Sequence, residues 1–109
     1  MFTARIKHLR ITPRKMRVLC NEIRGKDVSH AINFLMYNRR HAARPLLKLV
    51  KSAVANADVK GSADVDRLFI RELLCDQGTP LKRSLPRAKG MATPILKRSC
   101  HVKVVLAEK

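Results

Sequence analysis

The chain has 109 residues, which is enough for one domain with one hydrophobic core. Apolar residues make up 46% of it, which argues against a wholly disordered basic protein, and the formal net charge is +16. Because self-repulsion of that size weakens a compact state unless anions screen it, the composition indicates a polyphosphate partner rather than a generally soluble cationic protein.

The basic residues are unevenly distributed along the chain. Residues 1–26 carry eight Lys and Arg against one acid, residues 27–78 carry eight against six, and the remainder carries eight against one. Two basic zones therefore flank a middle that is close to neutral. This distribution predicts a globular body with one cationic side and a cationic projection.

The three cysteines indicate a reducing compartment, since Cys20, Cys75 and Cys100 show no CxxC spacing and cannot all pair with one another. No apolar run reaches the length of a membrane span. The N-terminus has neither a secretory apolar region nor a presequence rich in Arg and Ser. We therefore expect a cytoplasmic protein.

The first elements are a strand and a helix. Weak alternation over Phe2–Arg10, with Ala4, Ile6 and His8 on one side, predicts a short strand with a basic outer face. Thr12 then precedes a proline and can cap a helix over Pro13–Arg24, and Gly25 stands where that helix would end. The face opposite the apolar stripe of this helix is basic and carries Arg14, Lys15 and Arg17.

Two further helices are predicted in the middle of the chain. Asp27 can cap the second, Val28–Tyr37, and Asn38 can cap a third that runs to about Lys60. Pro45 should kink the third helix or delay its start. The apolar stripe of the second helix comprises Val28, Ala31, Ile32, Leu35 and Met36, and that of the third comprises Leu46, Leu49, Val50, Ala53, Val54 and Ala57.

Two strands, Val65–Asp76 and Ser99–Ala107, are separated by more than twenty residues. The stretch Thr79–Lys103 contains seven Lys or Arg and no acid. Because a structureless loop of that length is uncommon inside a compact domain, we expect a two-stranded extension whose arms reach ~30 Å. Its prolines should interrupt the ladder, so it should be mobile when free and ordered when bound.

Several sequence motifs occur in order over nearly the whole chain. The first are the helix opening Thr12–Arg17, the helix ending Ile23–Lys26 and the small-residue run Ser52–Ala57. The later ones are Leu81–Arg83, Pro86–Gly90, Leu96–Arg98 and Ser99–His101, which leads into the last strand. Together these motifs resemble the family of universal ribosomal protein twenty-two of the large subunit.

The resemblance implies an α+β fold in which three helices pack on a small antiparallel sheet and a long β-hairpin protrudes. It implies a single ribosomal RNA-binding domain over residues 1–109, with a body at 1–78 and 99–109 and an arm at 79–98. The hairpin, Thr79–Ser99, would line the nascent-peptide exit tunnel. The expected partners are large-subunit ribosomal RNA, neighbouring large-subunit proteins and the nascent peptide, with no cofactor, no metal and no membrane span.

The residues expected to bind RNA are the cations of the first strand and helix and those of the hairpin. They are Arg5, Lys7, Arg10, Arg14, Lys15, Arg17, Arg24, Lys26, Lys82, Arg83, Arg87, Lys89, Lys97, Arg98 and Lys103. The expected hairpin tip comprises Arg87, Ala88, Lys89, Gly90, Met91 and Ala92. Met91 and Pro94 stand where bacterial relatives commonly have basic residues, and Cys100 replaces a small hydroxyl residue.

Other functions fit the sequence less well. It has no Walker loop, no GxSxG, no HExxH and no paired acids, so we expect no enzyme. The alternative is a free-standing binder of DNA or RNA outside the ribosome. A helix-turn-helix is disfavoured because Val28–Tyr37 carries no Lys or Arg, and an RRM because Phe2, Phe34, Tyr37 and Phe69 give no stacking platform.

Overall fold

Over the residues that the structure describes, the protein folds as three helices, a three-stranded sheet and a separate two-stranded hairpin. The computed structural model describes residues 2–60, 65–86, 90 and 92–108. The elements in chain order are β1 (Phe2–Leu9), α1 (Pro13–Ile23), α2 (Val28–Met36), α3 (Ala43–Lys60), a 3-10 turn (Val65–Arg67), β2 (Leu68–Gln77), β3 (Leu81–Pro86), β4 (Ala92–Lys97) and β5 (Cys100–Glu108). The predicted α+β class with a protruding hairpin is confirmed.

The last strand, β5, is the centre of the body. It pairs antiparallel with β1 on one side and with β2 on the other, which gives the order β1-β5-β2. Val102, Val104 and Leu106 alternate along β5 and are at most 1% exposed. They face the helices, since α3 packs on β1 and β5 and α1 packs on β2. The alternation of these apolar residues in the sequence matches the buried face of β5.

The alternation of β1 breaks near its end. His8 has φ 57, and the register with β5 shifts between Ile6 and Leu9. A bulge of this kind turns the next side chain to the other face of the sheet. Consequently Leu9 packs partly buried against the core while His8 is exposed, the reverse of the sides expected from strict alternation.

The first helix agrees with its prediction to within one residue. The Thr12 carbonyl accepts the first helical hydrogen bond from the Met16 amide at 3.3 Å. Gly25 has φ 80, a left-handed conformation that glycine adopts without the steric cost of a Cβ, and the chain leaves the helix there.

The second helix ends one residue before its predicted limit, and its apolar stripe is narrower than expected. Val28, Ala31 and Leu35 are buried, and Ile32 packs partly buried against the core. Met36 is half exposed, because it occupies the last position of the helix, where the chain leaves the core.

The third helix starts at Ala43, so the prediction that Asn38 caps it is wrong. Instead the Asn38 Oδ1 accepts a hydrogen bond from the Arg40 amide at 2.9 Å, the pattern of an Asx turn. Pro45 lies in the first helical turn, where a missing amide proton costs nothing. The delayed start that this proline predicted is therefore confirmed.

The hairpin extends from the body as an uninterrupted ladder. Its register runs from Leu81 opposite Lys97 to Pro86 opposite Ala92, with Pro94 opposite Ser84. The prediction that the prolines interrupt this ladder is wrong, because each strand of a two-stranded ribbon has an open edge that tolerates a residue without an amide proton.

The hairpin makes the molecule long and narrow. The principal extents are 64 × 25 × 17 Å, and the Cα radius of gyration is 17.1 Å. A compact chain of this length would have a radius of gyration of about 13 Å.

The hairpin joins the body through a close contact between its two ends. The Gly78 amide donates to the Ser99 carbonyl at 2.9 Å, and the buried Ser99 hydroxyl donates to the Thr79 carbonyl at 3.1 Å. A Cβ at position 78 would lie 2.5 Å from the Ser99 Oγ, so glycine permits this approach. The base of the arm is thus fixed by short-range contacts.

Candidate nucleic-acid interface

A cationic groove lies at the base of the hairpin, and we call it the basal groove. It is bounded by the β1–α1 connection, the α2–α3 connection and the end of β4. Among the described residues, no Asp or Glu lines it. Its cations are Arg10, Lys15, Arg40, Lys97 and Arg98. Five positive side chains around one groove favour a ligand with closely spaced negative charges, as a phosphate backbone has.

Four of these five cations were predicted to bind RNA, but Arg40 was not. It lies in the run Arg39-Arg40-His41, within the part of the chain that is close to neutral when its charges are averaged. The fold brings this run beside the hairpin base, where His41 also lines the groove. The local cluster of three basic residues was the sequence signal that could have identified it.

The outer face of the three-stranded sheet carries a second group of predicted residues. Arg5 on β1 lies opposite Lys103 on β5, and Lys7 follows on the same face two residues later. All three line an open depression that also contains His101 and one acid, Asp76. The strand period of two places these cations on the side away from the helices.

A histidine pair sits at the edge of this face. The His8 amide donates to the Nδ1 of His101 at 3.0 Å, and the two rings lie edge to face with centroids 4.8 Å apart. Since Nδ1 is the acceptor, the neutral His101 ring carries its proton on Nε2. That N–H is a donor suited to a phosphate or ribose oxygen.

Two predicted RNA-binding arginines hold the body together. Arg17 donates from Nε and Nη2 to the Cys75 carbonyl at 3.2 and 3.1 Å. Arg24 donates from the same two nitrogens to the Leu73 carbonyl at 3.1 and 2.7 Å. Because β2 is an edge strand, these carbonyls face outward, and the two guanidinium groups occupy the positions that another strand would take.

The loop after α1 continues this edge protection. The Gly25 amide donates to the Ile70 carbonyl and the Ile70 amide donates to the Lys26 carbonyl, both at 3.0 Å. The side chains of Lys26 and of Arg14, which were also predicted to bind RNA, are exposed to solvent. They remain available to an external partner.

Within the hairpin ladder, each described cation lies opposite an aliphatic residue. Lys82 pairs with Leu96, Arg83 with Ile95, and Lys97 with Leu81. This arrangement avoids the destabilisation that like charges cause when they are directly opposite. The exposed side chains of Lys82 and Arg83 therefore project from the ribbon without a cation opposite either.

The predicted tip falls mostly outside the described residues. Arg87, Ala88, Lys89 and Met91 lie outside them. Gly90 has φ 74, a conformation suited to a tight turn, and Ala92 begins β4.

The three cysteines are buried between α1, β2 and β5. Burial raises the pKa of the Cys20 and Cys100 thiols to about 12, and it raises the pKa of Cys75 as well. They are therefore neutral and pack as small apolar side chains.

Across the described residues, no three His, Cys, Asp or Glu side chains come together as a metal site. No described helix is both long and apolar enough to cross a bilayer.

Comparison with known proteins gives consistent matches over almost the whole chain. Residues 4–107 match the family model described as ribosomal protein L22p/L17e. The chain is 50% identical over 108 residues to the large ribosomal subunit protein uL22 of Myxococcus xanthus (strain DK1622), covering 97% of this chain and 95% of that protein. It is 50% identical over 106 residues to the protein of the same name from Syntrophotalea carbinolica (97% and 96% covered), and 47% identical over 107 residues to that of Geotalea daltonii (98% and 96% covered).

Proposed function

The chain belongs to the family of ribosomal protein L22p/L17e, and we propose that it is a structural constituent of the large ribosomal subunit that binds ribosomal RNA. Members of this family are structural proteins and not enzymes. The partners are large-subunit RNA and the neighbouring proteins of that subunit, and the place of action is the cytoplasm, within the ribosome. The alternative of a free-standing nucleic-acid binder is not favoured, because the relatives matched over nearly their whole length are large-subunit proteins.

The basal groove is the observation that supports binding of this RNA by specific residues. Its five cations lie on three separate chain segments and, among the described residues, have no acid between them. Such a groove can neutralise several phosphates of one strand at once, and Arg forks can bridge two strands. The outer sheet face around Arg5 and Lys103 supplies further phosphate contacts.

The hairpin is the second part of the proposal. We infer that residues 79–98 form an arm of a single RNA-binding domain whose body is residues 1–78 and 99–109. The ladder from Leu81 to Lys97 and the long axis of 64 Å support an arm that reaches away from the body. In this arrangement the arm lines the exit tunnel, with its tip at Arg87–Ala92, and contacts the nascent peptide.

The experiment is fractionation of cell extract with two forms of the protein, the full chain and a variant lacking Lys82–Leu96. Both should sediment with the large subunit, because the variant keeps the sheet face and all five cations of the basal groove. Only the full chain should crosslink to a stalled nascent peptide in the tunnel. Migration of the full chain with the chromosome would contradict the ribosomal function, and loss of folding in the variant would contradict the division into body and arm.

A further inference from the structure

The corner between α2 and α3 presents the largest exposed aromatic surface among the described residues. Tyr37 is 82% exposed and the adjacent Met36 is 50% exposed. They line a shallow depression together with Arg39, Arg40 and Arg44. We call these five residues the Tyr37 corner. An exposed aromatic beside three arginines combines a stacking surface with three positive charges in a small area.

The backbone of this corner is held in place before any ligand arrives. The Tyr37 amide donates to the Asn33 carbonyl at 3.4 Å, and the Asn38 side chain accepts from the Arg40 amide at 2.9 Å. The Ala43 amide in turn donates to the Arg40 carbonyl at 3.1 Å. Because the loop is already ordered, a ligand that docks on it does not lose the entropy of fixing the backbone.

The corner is continuous with the basal groove. Arg40 and His41 line both the groove and the depression around Tyr37. Within the described residues, neither concavity is lined by an Asp or Glu. A nucleic-acid strand whose phosphates occupy the groove therefore passes directly to the aromatic ring.

We propose that the Tyr37 corner binds one unpaired nucleotide of large-subunit RNA, with the base stacked on the Tyr37 ring and the flanking phosphates held by the arginines. The inference rests on the proposed function and assigns it a second mode of recognition, beyond phosphate contact. Stacking needs an unpaired base, because the faces of paired bases are covered by their neighbours in a helix. The corner thus selects a bulge or loop and fixes the register of the protein on the RNA.

The chain offers a site-specific probe, since Tyr37 is the only tyrosine in 109 residues. Short-wavelength irradiation of the protein bound to purified large-subunit RNA, followed by digestion and mass spectrometry, should give a nucleotide adduct on the Tyr37 peptide. Nitration of tyrosine should be fast in the free protein and blocked in the complex. An unmodified Tyr37 peptide after irradiation, together with unimpeded nitration, would overturn the proposal.

Matched variants test whether a base stacks on the Tyr37 ring or whether the RNA only shields the ring from solvent. Tyr37→Phe keeps the ring and should bind large-subunit RNA with unchanged affinity. Tyr37→Leu removes the ring and should weaken binding by about tenfold, since a base stacked on an aromatic ring contributes about that much. Val59→Ala changes another highly exposed apolar residue, 87% exposed, and should have no effect. Equal affinity of the Tyr37→Leu and wild-type proteins would contradict the stacked base.

The outcomes also distinguish this inference from the function on which it rests. If the wild-type protein fails to bind large-subunit RNA, the proposed function is wrong. If it binds with normal salt dependence but Tyr37 is covered only after other proteins join the subunit, the corner is a protein contact and the stacking proposal alone is overturned.

Discussion

The body and the hairpin are built from similar residues but are held by different forces. In the body, Ile70 and Leu106 are completely buried, and β5 is paired on both sides. In the hairpin, Leu81 and Leu96 are 45% and 42% exposed, and each strand has one partner. The body therefore gains stability from burial of apolar surface, while the hairpin depends on a single ladder that is marginal in water.

The two regions therefore differ in how much of their order depends on RNA. A body with a buried core orders itself, and its cations can be arranged on a finished surface. A ribbon whose aliphatic residues stay half exposed gains more order when another molecule covers them and neutralises its charge. RNA does both, because its phosphates offset the cations and its bases and sugars exclude water.

The largest expected effect concerns salt. RNA affinity of the full chain should fall at least about 10³-fold between 50 and 200 mM salt, because about six neutralised phosphates release that many counterions. A variant lacking Lys82–Leu96 should show a shallower dependence, since the arm supplies part of the charge. Filter binding at several salt concentrations measures both slopes. A flat response of the full chain would contradict the electrostatic mechanism.

The next effect contrasts two leucines. Leu106→Ala should lower the free energy of unfolding by about 3 kcal/mol, because it opens a cavity in the core. Leu96→Ala should change it by less than about 0.5 kcal/mol, since that side chain is 42% exposed on the hairpin. Urea unfolding measures both changes. Equal losses would mean that the arm is part of the cooperative body.

Two arginines, one in the body and one on the hairpin, allow the same comparison for charged side chains. Arg24→Met keeps the aliphatic stem but removes the donors to the Leu73 carbonyl, so we expect a loss of about 1.5 kcal/mol in the free energy of unfolding. Arg83→Met on the hairpin should leave unfolding unchanged and weaken RNA affinity. Urea unfolding and filter binding of both variants check this. If the Arg24→Met protein is as stable as the wild type but binds RNA poorly, Arg24 acts in RNA binding and not in stabilising the fold.

The smallest effect is confined to alkaline pH. Burial raises the pKa of Cys20 in the folded state to about 12 from the ordinary thiol value of 9.0. As pH rises, the Cys20 thiol therefore loses its proton in the unfolded state before it does so in the folded state. The stability that the buried Cys20 thiol contributes is fully present below pH 9.0 and is lost as pH rises toward 12. At about pH 10 the loss from Cys20 should be about 1 kcal/mol.

The matched control for this pH effect is Cys20→Ala. The difference in unfolding free energy between the wild type and this variant, measured in urea, should be smaller at about pH 10 than at about pH 7. A constant difference would mean that Cys20 ionises equally in both states.

Much of the body could be predicted from sequence, because local signals and burial agree there. Pro13 and Gly25 bracket α1, and the alternation of Val102 and Val104 identifies the inner face of β5. The failures have local causes. The bulge at His8 exchanges the sides on which His8 and Leu9 lie. Asn38 forms a turn five residues before Ala43, where the helix that it was expected to cap begins.

The candidate site was only partly predictable, because charge alone does not reveal its neighbours. Arg17 and Arg24 are predicted to bind RNA, and the fold gives their guanidinium groups a second role that the sequence does not show. They donate to carbonyls of β2, which lies about fifty residues away along the chain. Arg40 lies in a segment whose basic and acidic residues nearly balance, so its charge did not stand out in the sequence. The fold places it in the basal groove beside residues from the two ends of the chain. Composition and periodicity do not show which residues come into contact when they are far apart in the sequence.

Hydrogen exchange of the free protein and of the assembled subunit measures whether the hairpin is ordered only when it binds RNA. The backbone amides of β3 and β4 should exchange rapidly in the free protein and slowly in the subunit. The amides of β5 from Val102 to Leu106 should be protected in both. Hairpin amides as slow as those of β5 in the free protein would contradict the claim that the arm acquires its order from RNA.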